Sequence, residues 1–265
     1  MWSRSARLLN QGGFSAVVGS LAAAATLAAQ MPDRSFRPMI EDRAYAIGAG
    51  PVVCVDEFHG NAYTLSDGFS PFGDLLRRDG YVVRSLVAFD QQSRDNCRVL
   101  VIVGPRSRVD ADETRRWVGG GGSLLLVADR HSSAALSDLA SVFSVSFTDA
   151  PERAGRFRTA DQTLRPHAIV RGRHAKESPA SVTVFAALAL RVPDSAEALL
   201  VASDGAAFGT AMRVEMGRAA FFGDPALFTA QIAGPDRRLV GMNARGADQN
   251  FQFVLNVMHW LSGVI

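Results

Sequence analysis

Val52-Val53-Cys54-Val55-Asp56-Glu57-Phe58-His59-Gly60-Asn61 runs four apolar residues straight into two carboxylates, a histidine, a glycine and an asparagine. A short continuous apolar run reads as a strand buried on both faces, as in a parallel sheet. The polar cluster falls where that strand ends, and in open α/β sheets ligands bind outside the carboxyl ends of the strands. Residues 56–61 are therefore the first candidates for a site.

The same pattern returns downstream. Phe69, Phe72, Leu75 and Leu76 recur at helical spacing, and Gly80 stops that helix. Strands are predicted over 81–86 and Val99–Val103, the second ending in Gly104-Pro105. Asp110 or Asp112 caps a helix running to about Val118, with Trp117 on its inner face. Gly119 to Gly122 follow a helix and precede a strand. A phosphate loop needs the opposite order, so these glycines read as a helix-to-strand turn. A further apolar run, 123–128, ends in Asp129-Arg130-His131, and Ser132 or Ser133 can cap the next helix, which reaches Phe143. Alternating strand and helix predicts an α/β, Rossmann-like fold with a doubly wound, mostly parallel sheet of the flavodoxin or amidotransferase kind.

Beyond residue 144 the pattern is less regular. Arg153, Arg156, Arg158, Arg165, Arg171 and Arg173 accompany His167 and His174. A basic run of this kind reads as solvated surface, with an anion contact or a guard over the site as the sharper alternative. Strands are expected over 181–190, 198–203, 206–215 and 219–222, the earlier ones forming an antiparallel extension. The last strand ends in Gly223-Asp224-Pro225, and residues 250–261 form a closing helix with Phe251, Val254, Leu255, Met258 and Leu261 on its inner face.

A chain of 265 residues allows one large domain or two small ones, and 48% hydrophobic with 20% charged residues is ordinary globular composition. Formal net charge is +2, and Arg4 and Arg7 account for that excess. A neutral body gives no support for a nucleic-acid partner. Residues 1–29 combine a short basic start with an alanine-rich apolar stretch, the pattern of a secretory signal peptide. A signal anchor tethering the protein to a membrane through residues 8–29 is the alternative, and either places the domain in the periplasm or another extracytoplasmic space. Residues 30–50 read as a linker or arm and residues 51–265 as the domain. Cys54 and Cys97 form neither a disulfide framework nor a metal motif and read as small buried hydrophobes.

Five pieces occur in a familiar order. They are Val55-Asp56-Glu57-Phe58-His59-Gly60-Asn61, Val101-Ile102-Val103-Gly104-Pro105, Trp117-Val118-Gly119-Gly120-Gly121-Gly122-Ser123-Leu124-Leu125-Leu126, Gly217-Arg218-Ala219-Ala220-Phe221-Phe222-Gly223-Asp224, and Asn250-Phe251 through Asn256 to Trp260-Leu261. Spanning about residues 51–263, this order resembles the class I glutamine amidotransferase-like superfamily. It is closer to a non-catalytic branch found in exported bacterial proteins, gliding-motility ABC-transporter auxiliary proteins and an intraflagellar-transport subunit. The resemblance implies an accessory binding part in a transport or envelope assembly. Catalytic members place a cysteine on a sharp turn after the strand corresponding to residues 123–128. Here that position reads Ala128-Asp129-Arg130-His131-Ser132-Ser133, with no cysteine and no flanking glycine. Glutamine hydrolysis by the standard nucleophile is therefore not expected.

If the strand ends gather on one edge, they bring together Asp56, Glu57, His59, Asn61, Asp129, Arg130, His131 and Asp224, with Asn243 and Asn250 joining from the loop that follows. Such a set suits a small polar ligand or the loop of an envelope protein partner, since it supplies paired acceptors and donors. No cofactor is expected. Two alternatives use the same cleft. Asp56, His59, Asp129, His131 and Asp224 are acceptable metal-ligand types, although no fixed-spacing motif supports a metal. Ser132 or Ser133 beside His131 is the one candidate arrangement for a serine hydrolase, without the glycines that an elbow needs.

Overall fold

The computed structural model describes residues 30–265. Its strands, in chain order, are β1 (Met31–Pro32), β2 (Val52–Asp56), β3 (Val82–Leu86), β4 (Val99–Val103), β5 (Ser123–Val127), β6 (Ser146–Phe147), β7 (Arg153–Arg158), β8 (Ser181–Ala187), β9 (Leu190–Arg191), β10 (Glu197–Val201), β11 (Ala207–Val214), β12 (Gly217–Phe222), β13 (Ala230–Ala233) and β14 (Arg238–Gly241). The helices are α1 (Ser70–Arg78), α2 (Gln91–Asp95), α3 (Ala111–Gly119), α4 (Ser133–Ser141), α5 (Ala168–Arg171) and α6 (Asn250–Ser262).

The main sheet is mixed. Its order is β3-β2-β4-β5-β12-β11-β9-β6, with β10 also paired to β11. β3, β2, β4, β5 and β12 pair in parallel, whereas β12–β11, β11–β10, β11–β9 and β9–β6 are antiparallel. Two small antiparallel sheets, β1-β13-β14 and β7-β8, complete the fold. The expected Rossmann-like, doubly wound, mostly parallel sheet is thus corrected. Among the described residues seven antiparallel pairings stand against four parallel ones. The cause lies after α4. Parallel neighbours need a long crossover, usually a helix, whereas a tight turn joins only antiparallel ones. Between β6 and β14 the only α-helix is the four-residue α5. β11 and β12 are joined by Glu215 and Met216 alone, with Glu215 in the left-handed region at φ 53°.

The central parallel strands β2, β4 and β5 are almost wholly apolar because both faces are covered, whereas edge strand β3 leaves Arg84 and Ser85 exposed. Val99, Val101 and Val103 of β4 face one cluster with Leu75 and Leu76 of α1, Phe222 of β12 and Val254 and Met258 of α6. Leu100 and Ile102 face the other, with Val118 of α3 and Leu136 and Leu139 of α4. Asp110 caps α3 by accepting from the Glu113 amide at 2.8 Å. Gly119–Gly122 carry α3 into β5, as their order predicts. A Cβ on Gly217 would lie 2.0 Å from the Val118 carbonyl oxygen, so only glycine lets β12 start beneath that turn.

The cysteines are not free hydrophobes. Cys54 of β2 and Cys97, two residues before β4, are disulfide-bonded across 43 residues. β2 and β4 are parallel neighbours, and this places the two Cα atoms 5.7 Å apart, within bridging reach.

The arm lies along the domain. Met31 and Pro32 pair with β13, Arg78 donates to the Pro38 carbonyl at 2.7 Å, and Tyr45 packs edge-on against Tyr81. Asp79, fully buried, accepts from the Ala44 amide and from His259 Nε2 of α6 at 2.7 Å, so arm, α1 and α6 meet on one carboxylate. Among the described residues no helix is long and apolar enough to cross a membrane. The expected leader, residues 1–29, lies outside the described residues.

Candidate functional site

Parallel β2, β4, β5 and β12 deliver their following loops to one edge of the sheet. Asp56 closes β2, Gly104 follows β4, and Asp129 and Asp224 follow β5 and β12 by two residues each. The loop after β2 folds back over the end of β4. The Ala62 amide donates to the Gly104 carbonyl at 2.8 Å, and the amides of Arg106 and Ser107 both donate to the His59 carbonyl. Gly104 holds φ +55°, and a Cβ there would lie 2.7 Å from the Tyr63 ring, so a missing side chain gives Tyr63 its place.

Asp56, His59 and Asn61 form one buried knot. Both carboxylate oxygens of Asp56 lie within 3.0 Å of His59 Nδ1, and Asp56 also accepts from the Asn61 amide group and from the Phe58 main-chain amide. Asn61 donates a second hydrogen bond to the Val103 carbonyl at 3.0 Å, tying the knot to β4, while its side-chain oxygen is buried without a partner. The His59 ring is clasped edge-on by Phe58 and Phe89. Asp56 thus fixes one ring nitrogen and leaves Nε2 as the free position. Phe58 is 56% exposed, whereas the imidazole it covers is buried.

The other candidates divide by task. Glu57 accepts from the Leu65 amide at 2.8 Å and closes the loop. Asp129 accepts from the His131 and Ser132 amides and from the Ser132 hydroxyl, which closes the turn that leads into α4. Arg130 lies 3.8 Å from Glu152, and His131 is exposed. Asp224 is buried and accepts from the Phe185 amide at 2.6 Å and the Ala226 amide at 2.9 Å. Asn250 exchanges two hydrogen bonds with the Thr183 main chain, holding α6 to β8. Asn243 donates to Asp33 and to the Gln231 carbonyl, which anchors the arm rather than lining a cleft.

Tyr63 and Glu152 were not legible as site residues. Burial pushes the Tyr63 hydroxyl well above its ordinary value, and the carboxylates of Asp129, Asp224 and Glu152 push it further. This phenol therefore stays protonated at the strand ends. Its only sequence signal is its place two residues after Asn61. Burial also pushes Asp224 up to about 6, against the opposing pull of its backbone hydrogen bonds. Between pH 4 and 6 the folded chain then holds a proton that the unfolded chain has released, so stability falls as pH rises through that window. Asp224→Asn is expected to flatten a fall on the order of 2–3 kcal/mol, read from urea midpoints at successive pH values. An unchanged pH profile in the variant would assign the slope to another group.

Among the described residues no three His, Cys, Asp or Glu side chains converge as a metal site. Ser132 and Ser133 hydroxyls bond to Asp129 and to the Arg130 carbonyl, not to a histidine.

Solved structures share the fold at low identity. The mmIFT52 N-terminal domain gives a TM-score of 0.62 at 15% identity, over 79% of this chain and 97% of that one. Two cytoplasmic proteins of Salmonella typhimurium, STM3548 and STM1381, give TM-scores of 0.52 and 0.51 at 12% and 14% identity, over 80% of this chain and 98% and 99% of theirs. At such identities the likeness concerns the fold alone. No curated protein matches the chain. Residues 62–231 match a family described as a domain of unknown function, DUF4350, and since this is more than half of the sequence, the chain belongs to the DUF4350 family.

Proposed function

We propose that this domain is a non-catalytic binding or scaffold module of the cell envelope, accessory to a transport or envelope assembly and related to the class I glutamine amidotransferase-like proteins. The observation that carries it is the use made of the strand-end polar groups. Asp56, Asn61, Asp129, Asp224 and Asn250 are bonded within the fold, and the turn after β5 is closed by the Asp129 side chain on the His131 and Ser132 amides rather than shaped as a nucleophile elbow. The disulfide supports an oxidising, extracytoplasmic compartment. His59 Nε2, the Tyr63 hydroxyl and the exposed Phe58 would meet a small polar ligand or a partner's loop.

One observation favours a hydrolase as the second reading. Asp56 grips His59 through Nδ1, which is the acid–histidine half of a catalytic triad. Among the described residues no hydroxyl or thiol hydrogen-bonds to the other nitrogen.

A thermal-shift screen of the full chain against sugars, amino acids, nucleotides and divalent metals tests the binding role, with ester and amide turnover assayed alongside. A solute at about a hundred times its dissociation constant adds roughly 2.7 kcal/mol, or on the order of 5–10 °C here. The expected result is such a shift, lost in His59→Ala, without turnover. Hydrolysis that disappears in His59→Ala would replace this reading with the second.

A further inference from the structure

Away from the strand ends, a cavity of about 550 Å³ opens between the β7–β8 ribbon, the loop 161–165 and the β10–β11 hairpin. That volume suits a small molecule, for which sites of about 300–1,000 Å³ are usual. The floor is apolar, built from Val184, Val201, Phe157 and Phe208, the two rings lying 5.8 Å apart. The loop is pinned to β10 by the Val201 amide on the Thr163 carbonyl and the Arg165 amide on the Leu199 carbonyl, so the rim is built by main-chain hydrogen bonds.

Three arginines and one acid line the walls: Arg153, Arg156, Arg165 and Asp161. Asp161 is already engaged by the Thr163 amide and hydroxyl and lies 3.8 Å from Arg158. Arg153 bridges Asp204 and lies over the Phe208 ring. Arg156 donates through two nitrogens to the Ser181 hydroxyl oxygen, at 3.1 and 2.8 Å. Among the described residues neither Arg156 nor Arg165 has a carboxylate partner. Like charges gathered over an apolar floor repel, and an anion entering between them relieves that repulsion. A guanidinium fork matches a phosphate or carboxylate with two parallel hydrogen bonds.

We propose that this cavity binds a small organic anion, its phosphate or carboxylate held by Arg156 and Arg165 and its flat apolar body set over the floor beside the Arg153 guanidinium that covers the Phe208 ring. The cavity shares no lining residue with the strand-end cluster, so the proposal stands independently of that cluster's role.

Isothermal titration of the full chain with phenyl phosphate, benzoate, inorganic phosphate and benzyl alcohol tests it. Saturable binding of at least one aromatic anion is expected, tighter than that of inorganic phosphate, weakened by added salt, and absent for the neutral alcohol. Arg156→Gln combined with Arg165→Gln is expected to weaken it at least about tenfold. Arg165→Gln alone serves as the second variant, since no bond of the Arg165 side chain holds the fold together, and it is expected to weaken binding while leaving the unliganded melting temperature unchanged. No saturable binding by either aromatic anion would overturn the proposal, as would equal binding of the alcohol or undiminished affinity in a folded variant.

Discussion

Replacing Cys54 and Cys97 together by alanine is expected to lower stability by about 4 kcal/mol, the loop-closure entropy of a bridge spanning 43 residues. For a domain of this size that is a fall in melting temperature of roughly 8–16 °C. Alanine is the better replacement because both positions are buried and a serine hydroxyl would need a partner. Thermal melts of the wild type with and without dithiothreitol give the same comparison without mutation. The bridge joins two strands that already pair in parallel, so its removal should weaken β2 and β4 together. A wild-type melting temperature indifferent to reductant would show that the bridge adds nothing in solution.

Asp56→Ala is the second large effect, expected to cost about 3–5 kcal/mol, because three donors in a buried loop are left without an acceptor at roughly 1–3 kcal/mol each. His59 Nδ1, the Asn61 amide group and the Phe58 main-chain amide all lose their acceptor at once. Because Asn61 also binds the Val103 carbonyl, the loop should detach from the end of β4 and carry Tyr63 off Gly104. Asp56→Asn keeps one acceptor oxygen and is expected to cost less. Urea denaturation measures both, and the His59 ring resonances report whether the imidazole remains fixed. A cost below about 1 kcal/mol, the worth of a single ordinary hydrogen bond, would mean that the knot does not hold the loop.

The first half of the fold was legible because its signals are local. Val52–Asp56, Val99–Val103 and the run 123–128 are apolar on both faces, and α6 was legible as a helix, although it is buried nearly all round rather than along the one expected stripe. In the second half the strands expected over 181–190, 198–203, 206–215 and 219–222 correspond to β8, β10, β11 and β12, but the extent of antiparallel pairing was not legible, because it is decided at a distance. Arg153-Ala154-Gly155-Arg156-Phe157-Arg158 reads as solvated surface, yet it is β7, since a two-stranded ribbon needs to bury only Phe157. The Cys54–Cys97 bond was hidden for the same reason: strand order, not spacing, brings the two residues together. Of the site, Asp56, His59 and Asn61 do converge as their closeness in sequence suggested. Asn243 and Asn250 turned out to bond the arm and β8, because a side-chain amide meets a main-chain strand edge as readily as it meets a ligand.

The placement of α6 bears on how the protein is made. Phe253, Val254, Val257 and Met258 belong to the cluster that covers one face of β2, β4, β5 and β12, and they follow every one of those strands in the chain. Until α6 has been made, those strands have an uncovered apolar face. Folding of that sheet must therefore wait for α6, and throughout that interval the nascent polypeptide is a natural client for chaperones that shield apolar segments.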